Sequence, residues 1–403
     1  MKLIYNTIKL KISCNKSDFK RLEQCNKESA HIWNLCVSKN NEYYQNNKKL
    51  LSIKEIRNIA KQEKTNIICA FNKQTIANKL IEAYKAISKA RKAGRIDEKY
   101  PYKIKNYYPT EWNYNFLFPD YKNNLILLTT TRYIDEKDKK RNGKQIKLKF
   151  KTSIPQNIKT LKLIYENNCY YACISYLVEV EEKQVNTQNM ASIDLGEIHS
   201  IVSVDNNNNQ LIITGRKIRS IKQFRNKKLA ELKSKMANCK KGSRQYKKYQ
   251  KALNYIKNKT KQQIHYYLHK LTRLYTNWAI EKGISVVYIG DVTGIEQNTK
   301  ENHIGNSDIR QKISQWNYGK IINLLQYKLN LEGIRVKLVN EQYSSQICPN
   351  CFNLNKPIKR NYNCNNCNSK FHRDIVGAWN ILNFNYDNKL ELPNNKIKYL
   401  RIS

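Results

Sequence analysis

The chain has 403 residues, and its 74 Lys and Arg against 32 Asp and Glu give a formal net charge of +42 at pH 7. Self-repulsion on this scale excludes an ordinary cytosolic surface and calls for a polyanion as partner: DNA, RNA or an anionic membrane. The hydrophobic fraction of 40% is enough to build cores, which excludes disorder throughout, and the length suggests two to four domains.

No run of about 18 apolar residues occurs. The opening MKLIYNTIKLKIS alternates instead of forming a signal-peptide apolar stretch. No basic amphipathic helix or lipidation motif marks a terminus, so no membrane partner is expected and nucleic acid is the expected polyanion. On this reading the chain is intracellular. The 28 tyrosines, set among many Asn, Lys and Ile, are also what an AT-rich gene encodes, so no lone tyrosine is read as functional.

Leu3 to Ser13 alternates apolar and polar residues and reads as a strand. Residues 17 to about 95 carry helical periodicity, with Asn15 or Ser17 placed to cap the first helix. KLIEAYKAISKARKAG, ending at Gly94, reads as an amphipathic helix with a basic face and a glycine stop. Residues 100 to 180 switch period: NLILLTTTRYI, QIKLKFKTS, TLKLIYENN and YYACISYLVEV alternate and are rich in Tyr, Ile and Thr. They predict the antiparallel strands of a small barrel, joined by the first strand, with the helical segment inserted. Basic loops such as KDKKRNGK at residues 137 to 144 would face nucleic acid, and the polar EVEEKQVNTQN, ending at Asn189, reads as a linker.

Beyond the linker come three strands, ASIDLG, HSIVSVD and NQLIITG, with an asparagine turn between the last two. A helical stretch from about Lys217 to Lys282 follows, dense in Lys and Arg and interleaved with Phe224, Tyr246, Tyr249, Tyr255, Tyr266 and Tyr267. That mixture suits a nucleic-acid strand or duplex, although each aromatic taken alone suits packing within a helical hairpin. Strand ISVVYIG, a helix from about Asp308 to Leu331 and strand IRVKLVN complete the element order of an RNase H-like fold.

Seven of the eleven cysteines, Cys14, Cys25, Cys36, Cys69, Cys169, Cys173 and Cys239, are scattered and read as small hydrophobes. The other four form two C-x-x-C pairs, Cys348 with Cys351 and Cys364 with Cys367, separated by twelve residues. Two such knuckles predict one tetrahedral Zn²⁺ site, closed and therefore structural.

An RNase H-like nuclease gathers carboxylates from separate segments, because divalent ions must bridge the scissile phosphate and hold the attacking water. Asp194 lies in the first strand of this region, where Gly196 lets backbone and phosphate approach closely, and Asp374 lies at the start of a helix after the cysteines. The ordered set SIDLG, VVYIGDVTGI, QWNYGKIINLLQYKLNLEGIRVKLVNEQYSSQICPNC and CNNCNSKFHRDIVGAWNIL, spanning residues 189 to 383, resembles the C-terminal half of TnpB proteins and of their eukaryotic and viral relatives, the Fanzors.

The resemblance implies a transposon-encoded RNA-guided DNA endonuclease related to the type V CRISPR effectors. The fold class it implies is α+β and multidomain: a RuvC-type, RNase H-like α/β nuclease with an inserted zinc ribbon, preceded by a wedge β-barrel that carries a helical recognition insertion. The boundaries are residues 1–16 and 100–185 for the wedge, 17–99 for the helical domain, 186–342 and 370–386 for the nuclease, 343–369 for the ribbon and 387–403 for a tail. Implied partners are a guide RNA, target double-stranded DNA and its displaced single strand, bound by a monomer. The location would be a bacterial cytoplasm or nucleoid, or a nucleus on the Fanzor branch. Two catalytic Mg²⁺ ions and one structural Zn²⁺ are implied.

One motif departs from the family. Where many members carry a glutamate at the end of the second motif's strand, this chain has Gly290 followed by Asp291. Side chains alternate faces along a strand, so Asp291 should point away from the site Gly290 faces. Glu341, at the end of the neighbouring strand, could reach across the bare glycine, and VNEQYSS is similar to branches that have moved their glutamate. The catalytic set is then Asp194, Glu341 and Asp374. If Glu341 does not complete it, the chain is an RNA-guided DNA binder, repressor-like, that does not cut; a DNA transposase is the third reading. The ribbon also lacks the usual glycine after each C-x-x-C, with Phe352 and Asn368 in those places, so its knuckles are expected to be less regular. His372 and Arg373 flank Asp374 as phosphate contacts or surface cations, and Arg310 and Trp316 are expected to fix packing or hold nucleic acid.

Overall fold

A computed structural model describes residues 2–402 except 95–96, 135–139, 167–168, 181–187, 293–305, 358–359, 388–389 and 395. Residues 137–139 of the basic loop at 137–144, and most of the linker ending at Asn189, lie outside that set. The chain divides into two compact units, Met1–Glu181 and Glu182–Ser403.

In the first unit, strand β1 (Lys2–Lys11) leads into helices α1 (Lys16–Asn47), α2 (Ile53–Gln62) and α3 (Ala70–Lys92). Asn15 caps α1 by accepting the Asp18 amide at 2.8 Å, and Ser52 and Glu55 form a reciprocal capping box on α2. Each cap satisfies amides that have no partner inside the helix. The helices pack through Leu22, Ile32, Cys36, Ile56 and Leu80, none more than 2% exposed. Glu28 is buried yet satisfied, accepting the amides of Asn66, Ile67 and Ile68 at 3.0–3.1 Å, so one carboxylate orders the loop that enters α3.

The strands expected to form one barrel divide between sheets. They are β2 (Thr110–Asn113), β3 (Leu117–Asp120), β4 (Leu125–Leu128), β5 (Arg132–Ile134), β6 (Lys140–Asn142), β7 (Ile146–Lys149), β8 (Ile158–Glu166) and β9 (Cys169–Val180). The first strand does join them: β1–β9–β8–β2 is one antiparallel sheet, β3–β4–β7 a second, and β5–β6 a separate pair. A bridge from Ser13 to Lys149 stitches the two larger sheets together. Trp112, Leu148, Leu161 and Ile174, all fully buried, share one core beneath them.

The second unit opens with the antiparallel meander β10 (Met190–Asp194), β11 (His199–Asp205) and β12 (Gln210–Thr214). Then come α4 (Arg216–Ala237), α5 (Arg244–Glu281), β13 (Val286–Gly290), α6 (Ser307–Ser314), α7 (Tyr318–Leu331) and β14 (Arg335–Val339). A ribbon of β15 (Asn361–Asn363) and β16 (Lys370–His372), α8 (Arg373–Asn383) and β17 (Ile397–Arg401) complete it. Two helical stretches expected to be continuous are broken. The first turns at residues 238–243, where Gly242 takes φ +85° and Ser243 recaps α5; the second turns at Gln315–Asn317, around the buried Trp316.

The sheet order is β14–β13–β10–β11–β12–β17, with β10, β13 and β14 parallel and β10, β11 and β12 antiparallel. Residues 387–403, expected as a tail, instead supply β17, parallel to β12 at the sheet's edge. Strands β11, β12 and β13 are buried along their whole length, because both faces are covered. Leu271 and Tyr275 of α5 with Ile321 and Leu325 of α7 pack on Ile193 and Ile289 on one side. On the other side Ile375, Ala378 and Leu382 of α8 pack on Val202, Val204 and Ile212. Among the described residues, no helix is long and apolar enough to cross a membrane.

Candidate active site and metal centre

Parallel strands present their C-terminal ends at one edge, and that edge collects the acidic residues. Asp194 is the last residue of β10; Gly290 ends β13 and pairs with Val339 of β14, so Glu341 lies two residues past the end of the neighbouring strand. A Cβ built on Gly290 would stand 2.6 Å from Glu341 Oε2, 3.1 Å from Glu341 Cβ and 3.1 Å from Ile381 Cδ1. The glutamate therefore fills the space that a side chain at position 290 would take, while Asp291 is exposed. Helix α8 brings Asp374 in its first turn, and a Cβ on its Gly377 would meet Asp194 Oδ2 at 2.8 Å. No local pattern marks Gly377. Its role is visible only once α8 is laid on β10.

The three carboxylates have different environments. Burial, reinforced by the charges of Glu341 and Asp374, pushes the Asp194 carboxyl up to about 8. Glu341 is also raised, by burial and then by Asp291. Burial alone would raise Asp374, but a hydrogen bond from His199 and the charges of Arg373 and His372 outweigh it and hold the carboxyl down to about 2. Like charges gathered in a half-buried place are unfavourable unless a cation answers them, and an all-oxygen set of this kind suits Mg²⁺ or Mn²⁺. Carboxylate oxygens are the donors such ions take, but the three carboxylates do not bring one oxygen each within 4.8 Å of one another here.

Asp374 is enclosed by basic groups. His199 Nδ1 lies 2.8 Å from its Oδ2, Arg360 NH1 3.6 Å from Oδ2, and Arg373 NH2 3.3 Å from Oδ1. His199 and Arg360 were not legible as site residues. His199 opens a strand that is buried along its whole length and is itself 6% exposed, a histidine in a core position five residues after Asp194, which is the one signal available. Arg373, expected as a phosphate contact or surface cation, pairs with Asp374, and His372 is half-buried with its ring 5.4 Å from that of His199. Gly196 has a reason other than phosphate approach: a Cβ there would lie 2.6 Å from the backbone oxygen of His199, so the glycine lets the β10–β11 turn close. Trp316 is buried with Lys222 Nζ 4.0 Å over its ring, a packing arrangement.

The four paired cysteines meet in one cluster. Their sulfurs all lie within 4.8 Å of one another, with Cys348 to Cys367 at 3.6 Å and Cys351 to Cys364 at 3.5 Å. Zn–S bonds of about 2.3 Å in a tetrahedron put sulfurs about 3.8 Å apart, whereas a disulfide needs about 2 Å, so the set fits zinc and not a bridge. The other seven cysteines are also free. The knuckles are more regular than expected: Phe352 and Asn368 both take the left-handed conformation, φ 58° and 57°, and their amides donate to Cys348 O and Cys364 O at 2.9 and 3.0 Å. Asn380 of α8 donates to Ser344 O at 2.6 Å and Ile347 O at 2.8 Å, tying the Glu341 loop and the base of the cluster to the helix that carries Asp374.

The α4–α5 hairpin exposes Phe224, Tyr255 and Tyr266 among its lysines, while Tyr246, Tyr249 and Tyr267 are half-buried. Exposed rings beside ammonium groups are the surface that stacks bases and tracks phosphates.

Two family models match the chain: one described as a probable transposase over residues 173–296, and one described as a Cas12f1-like TNB domain over residues 318–381. A TnpB-like protein of Methanocaldococcus jannaschii is 25% identical over 207 residues, covering 50% of this chain and 71% of the relative. The CRISPR-associated endodeoxyribonuclease Cas12f1 of Sulfoacidibacillus thermotolerans is 28% identical over 123 residues, which is 30% of this chain and 26% of that protein. The solved structure of a Cas12f1–sgRNA–target DNA complex shares the fold, with a TM-score of 0.63, 13% identity, and coverage of 94% of this chain and 98% of that one. The TnpB-like relative and the two family models agree in likening the C-terminal half of the chain to TnpB proteins, and the Cas12f1 complex shares its fold.

Proposed function

We propose that this protein is an RNA-guided DNA endonuclease whose RuvC-type site is made by Asp194, Glu341 and Asp374. The observation that carries the reading is the convergence of three carboxylates at one sheet edge, with Glu341 occupying the space above Gly290. Mg²⁺ ions held by these carboxylates would supply the charge that activates water and stabilises the phosphorane-like transition state. Asp194, at the strand end, and Glu341, held against Gly290, present their oxygens from two strands. Asp374 is kept ionised by His199 and Arg373, so it is ready to bind a cation at any physiological pH. Zn²⁺ on Cys348, Cys351, Cys364 and Cys367 would fix the fold of residues 343–369.

The +42 charge and the exposed aromatics of α4–α5 support binding of a guide RNA and of target DNA, with base pairing reading the sequence. We assign the sheets of residues 1–16 and 100–185 to a wedge, and the helices of 17–99 to recognition of the duplex and of a short flanking motif. The test is to purify the full chain and sequence its copurifying RNA. Linear DNA matching that RNA's variable end is then offered with Mg²⁺. A discrete RNA and a cut confined to matching DNA are expected. Ribosomal fragments alone, with no matching cut, would overturn the reading.

A further inference from the structure

Beside the three carboxylates the structure assembles a second set of donors, which contains nitrogen. One ligand atom each of His199, His372 and Asp374 lies within 4.8 Å of the others. His199 comes from the first residue of β11, His372 from the last residue of β16 and Asp374 from the first turn of α8, so the backbone frame that holds them is rigid. His372 Nδ1 is buried and makes no hydrogen bond with any of the described residues. Buried polar atoms in folded proteins are nearly always satisfied, so this nitrogen wants a partner.

The 2.8 Å between His199 Nδ1 and Asp374 Oδ2 admits two occupants. A shared proton gives that distance. So do two ligands at right angles on one ion, because bonds of about 2.1 Å place cis donors about 3.0 Å apart. Cationic charge already favours the place: Arg360 NH1 lies 3.0 and 3.2 Å from the two ring nitrogens of His199 and 3.6 Å from Asp374 Oδ2. That guanidinium is more than a third exposed, and its contact with the carboxylate is longer than a hydrogen bond, so it can yield the position at small cost. Arg373 holds the other oxygen, Oδ1, and leaves Oδ2 to the histidine side.

We propose that His199, His372 and Asp374 form a cation site with two imidazole ligands, selective for borderline transition ions such as Co²⁺ or Zn²⁺, and to a lesser degree for Mn²⁺, over Mg²⁺. Imidazole nitrogen suits those ions and Mg²⁺ prefers oxygen alone. The site rests on cation binding by Asp374, as in the proposed function, and does not require that DNA be cut. It predicts that the ion next to Asp374 differs in kind from one held by Asp194 and Glu341, and that Zn²⁺ competes there.

The test uses the full chain with Mn²⁺ as the probe and pulsed electron paramagnetic resonance as the readout. The chain has six histidines, so selective ¹⁵N-histidine labelling is direct. Expected are nitrogen modulations on bound Mn²⁺ that change from the ¹⁴N to the ¹⁵N pattern on labelling, and that vanish in His199→Gln/His372→Gln. Mn²⁺ should bind at least about tenfold more tightly than Mg²⁺ in competition, and that preference should shrink in the double variant. Labelling of the unmutated chain keeps the test valid if the variant fails to fold. Mn²⁺ lost on Asp374→Asn but showing no histidine coupling would overturn the proposal, as would failure of millimolar Mn²⁺ to bind. Cleavage of matching DNA without histidine coupling removes this inference alone; histidine coupling without cleavage removes the nuclease reading alone.

Discussion

Adding a single methyl group at position 290 tests whether Glu341 works from the place the structure gives it. Gly290 has no positive φ, so alanine fits the backbone, but its Cβ would stand 2.6 Å from Glu341 Oε2, where an ordinary contact begins at 3.4 Å. The carboxylate oxygen must retreat by about 0.8 Å, and Ile381 Cδ1, at 3.1 Å, gives by a few tenths. Displacements near 1 Å at a reacting centre cost roughly a hundredfold in rate, about 2.7 kcal/mol. Stability should change far less, because overpacking by one methyl is partly offset by the entropy alanine saves in the unfolded chain, leaving at most about 2 kcal/mol. The assay is single-turnover cleavage of guide-matched DNA in saturating Mg²⁺, beside a thermal melt and a binding titration. Slow cutting with intact binding is expected from Gly290→Ala, and Gly290→Glu combined with Glu341→Ala should recover part of the lost rate. A Gly290→Ala protein that cuts within about threefold of the parent would refute the placement of Glu341.

Gly377→Ala puts a methyl 2.8 Å from Asp194 Oδ2 on a helix that alanine favours, so melting temperature should hold or rise while cleavage drops at least tenfold; equal activity would mean that Asp194 moves without consequence. Cys364→Ser should release about one zinc per chain by elemental analysis and expose residues 343–372 to hydrogen exchange, whereas full zinc retention by a Cys348, Cys364 double mutant would exclude the four-cysteine site. Lys328 is buried, its ammonium donating to His269 O at 2.6 Å and Thr272 Oγ1 at 2.7 Å, and burial pushes its pKa from 10.5 down to about 8. The unfolded chain keeps that proton longer than the folded one, so the parent should gain stability between pH 8 and 10.5 relative to Lys328→Met, by up to about 3 kcal/mol in denaturant titrations; parallel pH curves would contradict this.

What could be read from the sequence was whatever has a local signature. The Cys348/Cys351 and Cys364/Cys367 pairs are fixed by spacing, and the strand carrying Asp194 by its apolar pattern. Glu341 was reachable because alternation along β13 and the 4.8 Å strand separation limit where a missing carboxylate can come from. His199, Arg360 and Gly377 were not reachable in that way. They touch Asp374 or Asp194 only through the closing of β11, the cysteine cluster and α8 onto one edge, contacts 14 to 183 residues apart in the chain. The breaks at Gly242 and Trp316 lie within stretches whose periodicity continues on both sides, so pattern alone favoured longer helices. Strand β17 was missed because IKYLR is short and charged, as an edge strand must be to resist further pairing.

The central claim is that a guide RNA directs the chain to DNA and that Asp194, Glu341 and Asp374 cut it. The most direct measurement compares the parent with Glu341→Gln, each carrying its copurified RNA, on DNA that matches that RNA and in Mg²⁺. The account predicts that both bind the matching DNA with similar affinity and that only the parent cuts it, Glu341→Gln being slower by roughly a hundredfold or more. Equal cutting by both, or binding without any cutting by the parent, would contradict it.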